Sequence, residues 1–317
     1  MTANLQNPIF NDLDAAREAL EAVRWPLGPY CPHCGNADPE RIAKVAGKKQ
    51  SHRPGLYYCN ECKGQFTVTV GTVFERSKVP LTKWWLATFL MNSSKKGFSA
   101  HQLHRSLGVT YKTAWFMAHR VRAAMAEMNP GPMGGKGKII EADETYYGNV
   151  AGTKRARRRD KGASGQEKWK VVSLVERGGK ARSTHVDYLT ATTLRNVLVT
   201  NADRKSDLMT DEFASYIAVG KEYASHQTVV HSKEEYVRGN VHTNSIEGFF
   251  SIFKRGMMGI YQHCSEQHLC RYLSEFDFRY SHRVKLGYSD WDRTLIALRG
   301  IEDKRLTYRR PDQTARA

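Results

Sequence analysis

The sequence predicts an α/β protein: a mixed sheet flanked by helices, preceded by a small cysteine-knuckle ribbon and a helix-turn-helix. Three observations carry this. Paired cysteines sit at Cys31/Cys34 and Cys59/Cys62, a helical pattern runs from Leu81 to Met128, and beyond a Pro/Gly linker three strand patterns are followed by alternating helix and strand.

In chain order, Leu13, Ala16, Leu20 and Val23 recur among charges and predict a short amphipathic helix within 5–25. The ribbon follows over 26–78. Its last stretch, Gln65 to Val70, alternates as a strand does. Helices are expected over Thr82–Ser93 and Ser99–Leu107. Gly108 then makes a turn, and Thr110 caps a third helix to about Met128, which completes a DNA-binding module over 79–128. Residues 129–137 (NPGPMGGKG) form a linker. The main domain is expected over 138–300. Its strands are Lys138–Asp143, Lys170–Glu176 and Arg182–Leu189, then a helix over Thr192–Ala202. A short strand reaches Asp211, a helix covers Phe213–Val219, a last strand covers Thr228–Val230, and helices run from Ser245 to about Leu298. Residues 301–317 read as a tail.

Composition narrows the partner. Among 317 residues, 49 Lys and Arg face 32 Asp and Glu, a net charge of +17 with a pI near 9.6. That surplus favours a polyanion, nucleic acid before an anionic membrane surface. No 18-residue apolar run offers a membrane span, and the N-terminus lacks the basic-then-apolar form of a signal peptide. A cytoplasmic, reducing setting is expected, in which two CxxC pairs act as metal ligands rather than disulfides. Cys31, Cys34, Cys59 and Cys62 then make a closed four-thiolate site for structural Zn²⁺. Cys264 and Cys270 match no common spacing and read as packing residues.

In the helix-turn-helix, Thr110, Tyr111, Lys112 and Thr113 begin the last helix, where a recognition helix offers side chains to the major groove. Arg105, His119, Arg120 and Arg122 are candidate phosphate contacts. Trp84, Trp85, Trp115, Phe249 and Phe250 fall at helical spacing and read as core. The run Lys154, Arg155, Arg157, Arg158, Arg159 lies between the first two strands of the main domain and suits a DNA backbone, as does Arg255.

The chemistry is expected from acids placed where strands should be apolar. Alternation in Ile139–Tyr146 puts Glu141 and Asp143 on one face, while Asp211 ends another strand. Glu247 follows Asp211 after 35 intervening residues, at the start of a helix. Lys254, about 20° away on the same helix face, is placed to bind a phosphate. Such acids are costly to desolvate unless a cation offsets them. Three converging carboxylates can hold two divalent ions about 3.5–4 Å apart, the arrangement of phosphodiester-cutting enzymes. Glu141, Glu144 and Glu212 rank behind them as supporting or surface acids.

The motifs CPHCG, YYCNECKGQFTVTVGTVFERSKVPLTKWW, EADETYYGN, LMTDEFASY, HTNSIEGFFSIFKRGMMGIYQH and YLSEFDFRY resemble those of zinc-ribbon insertion-sequence transposases, the ISXO-like group of the Asp-Asp-Glu superfamily, over residues 25–285. The resemblance implies a ribonuclease-H-like catalytic domain, Mg²⁺ or Mn²⁺ dependence, and cleavage and strand transfer at terminal inverted repeats. It implies double-stranded DNA partners, both the element's ends and the target, an oligomer on DNA, and a bacterial cytoplasmic setting. The catalytic acids fall on Asp143 and Asp211. Glu247 is preferred as the third, because a carboxylate binds Mg²⁺ better than an amide, and Asn244 in the HTN motif is the alternative. Two other functions are expected to compete: a DNA-binding regulator without catalysis, and a ribonuclease-H-like nuclease on other nucleic acids.

Overall fold

The computed structural model describes residues 5–45, 52–148, 168–230, 237–304 and 306. The chain divides into two compact units. The first takes the chain up to Ser94, then Phe98–Ala126, then everything from Tyr288. The second takes Lys95–Gly97 and Glu127–Gly287.

The first unit opens with α1 (Leu13–Arg24), capped by the Asp12 carboxylate, which accepts from the Asp14 and Ala15 N–H groups. The ribbon is a three-stranded antiparallel sheet of β1 (Ile42–Lys44), β2 (Tyr57–Cys59) and β3 (Gln65–Phe66). The alternation from Gln65 to Val70 predicted a longer strand. It stops at Phe66 because the carbonyls of Val68 and Val70 are taken by the Arg24 guanidinium, at 2.7 and 2.9 Å, and the backbone turns at Thr67. Next comes α2 (Leu81–Ser93), apolar around most of its circumference and accordingly buried, with Trp84 and Trp85 in the core. Trp85 Nε1 donates to the Ala16 carbonyl at 2.9 Å, and its ring stacks on Trp291.

α3 (Ala100–Leu107) is capped by Ser99, and Gly108, at φ +58°, turns the chain in the left-handed region that glycine tolerates best. α4 (Tyr111–Met125) starts from Thr110, whose hydroxyl accepts from the Thr113 N–H. The last helix of the chain, α9 (Asp290–Arg299), lies in this first unit, where Arg293 Nε donates to the Asn92 carbonyl at 2.9 Å. The stretch beyond Gly287 therefore does not extend the 138–300 block read from the sequence.

The second unit is built on a mixed five-stranded sheet in the order β10-β9-β5-β6-β7. Its strands are β5 (Ile139–Tyr147), β6 (Trp169–Glu176), β7 (Ala181–Val186), β9 (Asp207–Thr210) and β10 (Ser225–Thr228). β5, β6 and β7 run antiparallel in series, while β9 joins β5 and β10 joins β9 in parallel. A small parallel pair, β4 (Met133–Gly134) with β8 (Ala202–Asp203), stands apart. Alternation sorts the core into two layers. Ile140, Ala142, Val172 and Leu174 pack with Leu194, Leu198, Tyr216 and Val219 from α5 (Ala191–Asn201) and α6 (Ser215–Gly220). Val171 and Val175 pack on the other face with Ile246, Phe249, Phe250 and Phe253 of α7 (Asn244–Gly256) and Leu269, Leu273 and Phe276 of α8 (Glu266–Ser281). Among the described residues no helix is long and apolar enough to cross a membrane.

Candidate functional site

The four ribbon cysteines converge. Cys31 Sγ lies 3.6 Å from Cys62 Sγ and Cys34 Sγ lies 3.7 Å from Cys59 Sγ, with all four sulfurs within 4.8 Å of one another. A tetrahedron of sulfurs about 2.3 Å from Zn²⁺ has edges of about 3.8 Å, so the residues fit that ion. Each knuckle is made by its backbone: the Gly35 N–H returns to the Cys31 carbonyl, and the Cys59 N–H to that of Gly64. The backbone N–H of Cys62, helped by that of Glu61 and the Asn36 amide, holds the Cys59 thiol down, while burial pushes the Cys62 thiol up to about 12. Deprotonating all four sulfurs together therefore calls for a bound cation. Trp25, Tyr30, Tyr57 and Phe66 pack edge-on or stacked beside the site, supplying the apolar support so small a sheet lacks.

In the second unit the parallel pairing of β5 with β9 aligns Ile139 with Asp207, Ile140 with Leu208 and Glu141 with Met209. Carried two residues past the last pair, the same offset sets Asp143 opposite Asp211. Carboxylate oxygens of Asp143, Glu144 and Asp211 all lie within 4.8 Å of one another. Burial pushes Asp143 up to about 8, and the charges of Asp211 and Glu144 add to it. Glu144 is also raised, by burial and by Asp211, although it accepts a hydrogen bond from the Tyr216 hydroxyl at 3.0 Å. Asp211 Oδ1 accepts from the Phe213 N–H at 3.0 Å, which anchors it where α6 begins. A dense, half-buried set of hard oxygen donors of this kind suits a divalent cation, whose charge would relieve the repulsion.

Glu247 sits one turn into α7, on its exposed side, and takes a hydrogen bond from the Thr243 hydroxyl at 2.8 Å. It is outside the group of three whose oxygens meet within 4.8 Å, yet its charge reaches Asp143 and contributes to the upward shift there. Asn244 is the first residue of α7, with its N–H 3.4 Å from His242 Nδ1. Lys254 is exposed two turns on from Glu247. Arg255 is folded onto its own helix, donating to the Ser251 carbonyl and hydroxyl at 3.0 and 2.8 Å. The sequence alone places Glu144 behind Asp143 and Asp211, as a supporting or surface acid. Strand alternation turns it toward α6, and only the Tyr216 hydrogen bond and the position of Asp211 show that its carboxylate belongs with the others.

In the first unit Thr110, Tyr111 and Lys112 are exposed at the start of α4 and Thr113 is half-buried. The Tyr111 ring stacks on His101 at 4.3 Å, and the Thr110 and Thr113 hydroxyls lie 2.9 Å apart. Three candidate phosphate contacts are corrected: His119, Arg120 and Arg122 are buried. Arg120 stacks on Phe116 and donates to the Glu75 carbonyl, so the hydrophobic side of α4 claims these long side chains. Arg105 is exposed. Cys264 is buried as expected, but Cys270 is exposed. Lys154, Arg155, Arg157, Arg158 and Arg159 lie outside the described residues.

Comparison with known proteins agrees with this layout. Residues 12–65 match the transposase zinc-ribbon domain, and residues 134–281 match the ISXO2-like transposase domain. An uncharacterized protein in transposable element ISH50 of Halobacterium salinarum is 30% identical over 282 residues, which cover 83% of this chain and 89% of the relative. With the ribbon, the acid-bearing sheet and this likeness along most of the sequence together, the chain belongs to the zinc-ribbon-bearing ISXO2-like transposase family.

Proposed function

We propose that this transposase binds the terminal inverted repeats of its insertion sequence and cuts and transfers DNA strands by divalent-metal-dependent phosphodiester chemistry. The observation that carries the reading is the meeting of Asp143 and Glu144, midway along β5, with Asp211 just past the end of the neighbouring parallel strand β9, beside the helix that bears Asn244 and Glu247. Three antiparallel strands followed by two parallel ones, with the first acid on the central strand, support a ribonuclease-H-like domain. The capped α3–Gly108–α4 arrangement supports a helix-turn-helix that reads DNA through Thr110, Tyr111, Lys112 and Thr113.

Asp143 and Asp211 would hold Mg²⁺ or Mn²⁺, with Glu247 completing the set from α7, Asn244 as the alternative, and Glu144 bearing on the same ions. Ions bound there supply the Lewis acidity that activates water or a 3′-hydroxyl and stabilises the leaving oxygen. Tyr216 holds Glu144 and Thr243 holds Glu247, and Lys254, exposed two turns on from Glu247, would bind a phosphate near the reacting strand. Two DNA ends are processed together, so an oligomer on DNA is expected. Light scattering of the protein–DNA complex checks this, and a single chain per complex would refute it.

The deciding experiment incubates the purified chain with a terminal-repeat duplex and Mg²⁺ or Mn²⁺. The parent is expected to nick it. Asp143→Ala is expected to bind the duplex as tightly and to cut at least ~10³-fold more slowly, the scale of losing an essential catalytic group. Tight binding without nicking under any divalent ion would favour a DNA-binding regulator. Preferred cutting of an RNA–DNA hybrid would favour a nuclease.

A further inference from the structure

Glu141 is fully buried in β5, two residues before Asp143. A carboxylate removed so completely from water must be met by donors at both oxygens. Its Oε2 accepts from the backbone N–H groups of Ser245 at 2.8 Å and Ile246 at 3.0 Å. Its Oε1 accepts from Arg177 Nε at 2.5 Å and lies 3.5 Å from His242 Nδ1. Arg177 directs its other donors to the carbonyls of Asn240 at 2.7 Å and His242 at 2.6 Å, the residues that lead into α7.

The first N–H groups of a helix lack partners within it, and the residue before the helix ordinarily supplies one from its own side chain. Thr243 occupies that place but makes no such bond, and its hydroxyl donates to Glu247. The cap of α7 comes from Glu141 on β5, and the hydroxyl that would have capped the helix is left to orient its acid. Favourable alignment with the helix N-terminus and pairing with Arg177 together offset the burial of the charge. One strand thus carries Asp143 and also fixes the start of the helix that carries Asn244 and Glu247.

We propose that Glu141 and Arg177 are positioning residues for the metal site, setting the acid of α7 in register with Asp143 and Asp211. This rests on the function proposed above. Groups that orient metal ligands influence affinity strongly without touching the metal, and a helix transmits a displacement of its first turn to the residue one turn on.

The test uses full-length Glu141→Gln and Arg177→Lys, with Val197→Ala as a control that thins the core on the opposite face of the sheet. Free Mn²⁺ is followed by electron paramagnetic resonance in protein without DNA, melting is followed in parallel, and nicking is measured over a range of duplex concentrations. Both clamp variants are expected to weaken Mn²⁺ binding more than fivefold and to lower the saturated nicking rate more than fivefold, with KM for the duplex within twofold of the parent. Val197→Ala is expected to lower the melting temperature while leaving Mn²⁺ affinity within fivefold. Should Glu141→Gln fail to fold, Arg177→Lys, which keeps the charge but offers fewer directed donors, decides alone. Clamp variants that stay within fivefold of the parent for Mn²⁺, or a control that weakens Mn²⁺ binding as much as they do, overturn the proposal. A parent that binds Mn²⁺ but cuts no DNA refutes the transposition chemistry, while the Mn²⁺ comparison still decides the clamp.

Discussion

Asp277 of α8 accepts hydrogen bonds from the Ser183 N–H at 2.8 Å and the Ser183 hydroxyl at 2.7 Å. Burial still pushes it up to about 7, with the Ser183 bonds and Arg182 opposing. In the unfolded chain an Asp titrates near ~3.9. Between those values the folded chain keeps a proton that the unfolded chain has lost, so this residue makes stability fall as pH rises from about 4 to about 7. Asp277→Asn leaves an oxygen for the Ser183 N–H and an amide for the hydroxyl, and is expected to flatten that part of the profile. Denaturant midpoints at pH 4.5 and 7.5 check it, and an unchanged pH slope refutes it. Asp143 titrates higher, at about 8, and the cation proposed to sit there must displace its proton. Mn²⁺ affinity is therefore expected to fall about tenfold for each pH unit below 8, if one proton is released. A titration that is flat between pH 6 and 8 would contradict this. The sequence marks Asp143 as an acid on a strand, but its crowding depends on Asp211 and Glu144 arriving from the β5–β9 register and from the opposite strand face. The register is not visible in local alternation, which alone would turn Glu144 away from Asp143.

At the scale of elements, helices α1, α3 and α4 were legible because periodicity is reinforced by ends written in side chains, with Asp12, Ser99 and Thr110 capping and Gly108 turning. By contrast, α2 has no side-chain cap and shows itself by its apolar run alone. The extent of β3 was not, because a distant guanidinium, that of Arg24, takes the carbonyls a longer strand would have used. The clamp at the start of α7 was hidden for a related reason. A strand-borne Glu reads as surface until the helix end it caps is known, and Thr243 looks like the natural cap. The ribbon carries the clearest element-scale prediction. Three short strands cannot bury enough apolar surface to persist alone, so Zn²⁺ is expected to supply much of their folding free energy. Chelation should strip the rings of Tyr30, Tyr57 and Phe66 from Trp25 and shift its fluorescence to the red. Trp25→Phe should lose that signal while the other tryptophans stay silent. A chelated protein whose spectrum is unchanged would show that the cysteine cluster does not hold the ribbon together.

For the whole molecule, sequence order alone could not assign α9, since periodicity reports that a helix has a buried face and not which unit covers it. Charge is the property that needs no fold to read. With 49 Lys and Arg against 32 Asp and Glu, the protein is a polycation. The basic side chains of α4 that looked available are in part buried, which leaves fewer cations there for phosphate. The run from Lys154 to Lys161, between β5 and β6, then gains importance as a source of cations for the DNA backbone. Each phosphate neutralised releases counterions, so log K for duplex binding falls linearly with log salt, with a slope of about −0.9 per phosphate. Replacing Lys154, Arg155, Arg157, Arg158 and Arg159 by Ser is expected to make that slope shallower by about 0.9 for each phosphate no longer neutralised. Affinity for terminal-repeat and unrelated duplexes should fall by the same factor, because cations on the backbone hold DNA without reading it. Lys112→Ala, at the start of α4, should instead narrow the gap between the two duplexes. Titrations at several salt concentrations separate the cases. An unchanged slope in the serine variant would remove the run from the DNA-binding surface, whereas weakening confined to the terminal-repeat duplex would make it a sequence reader.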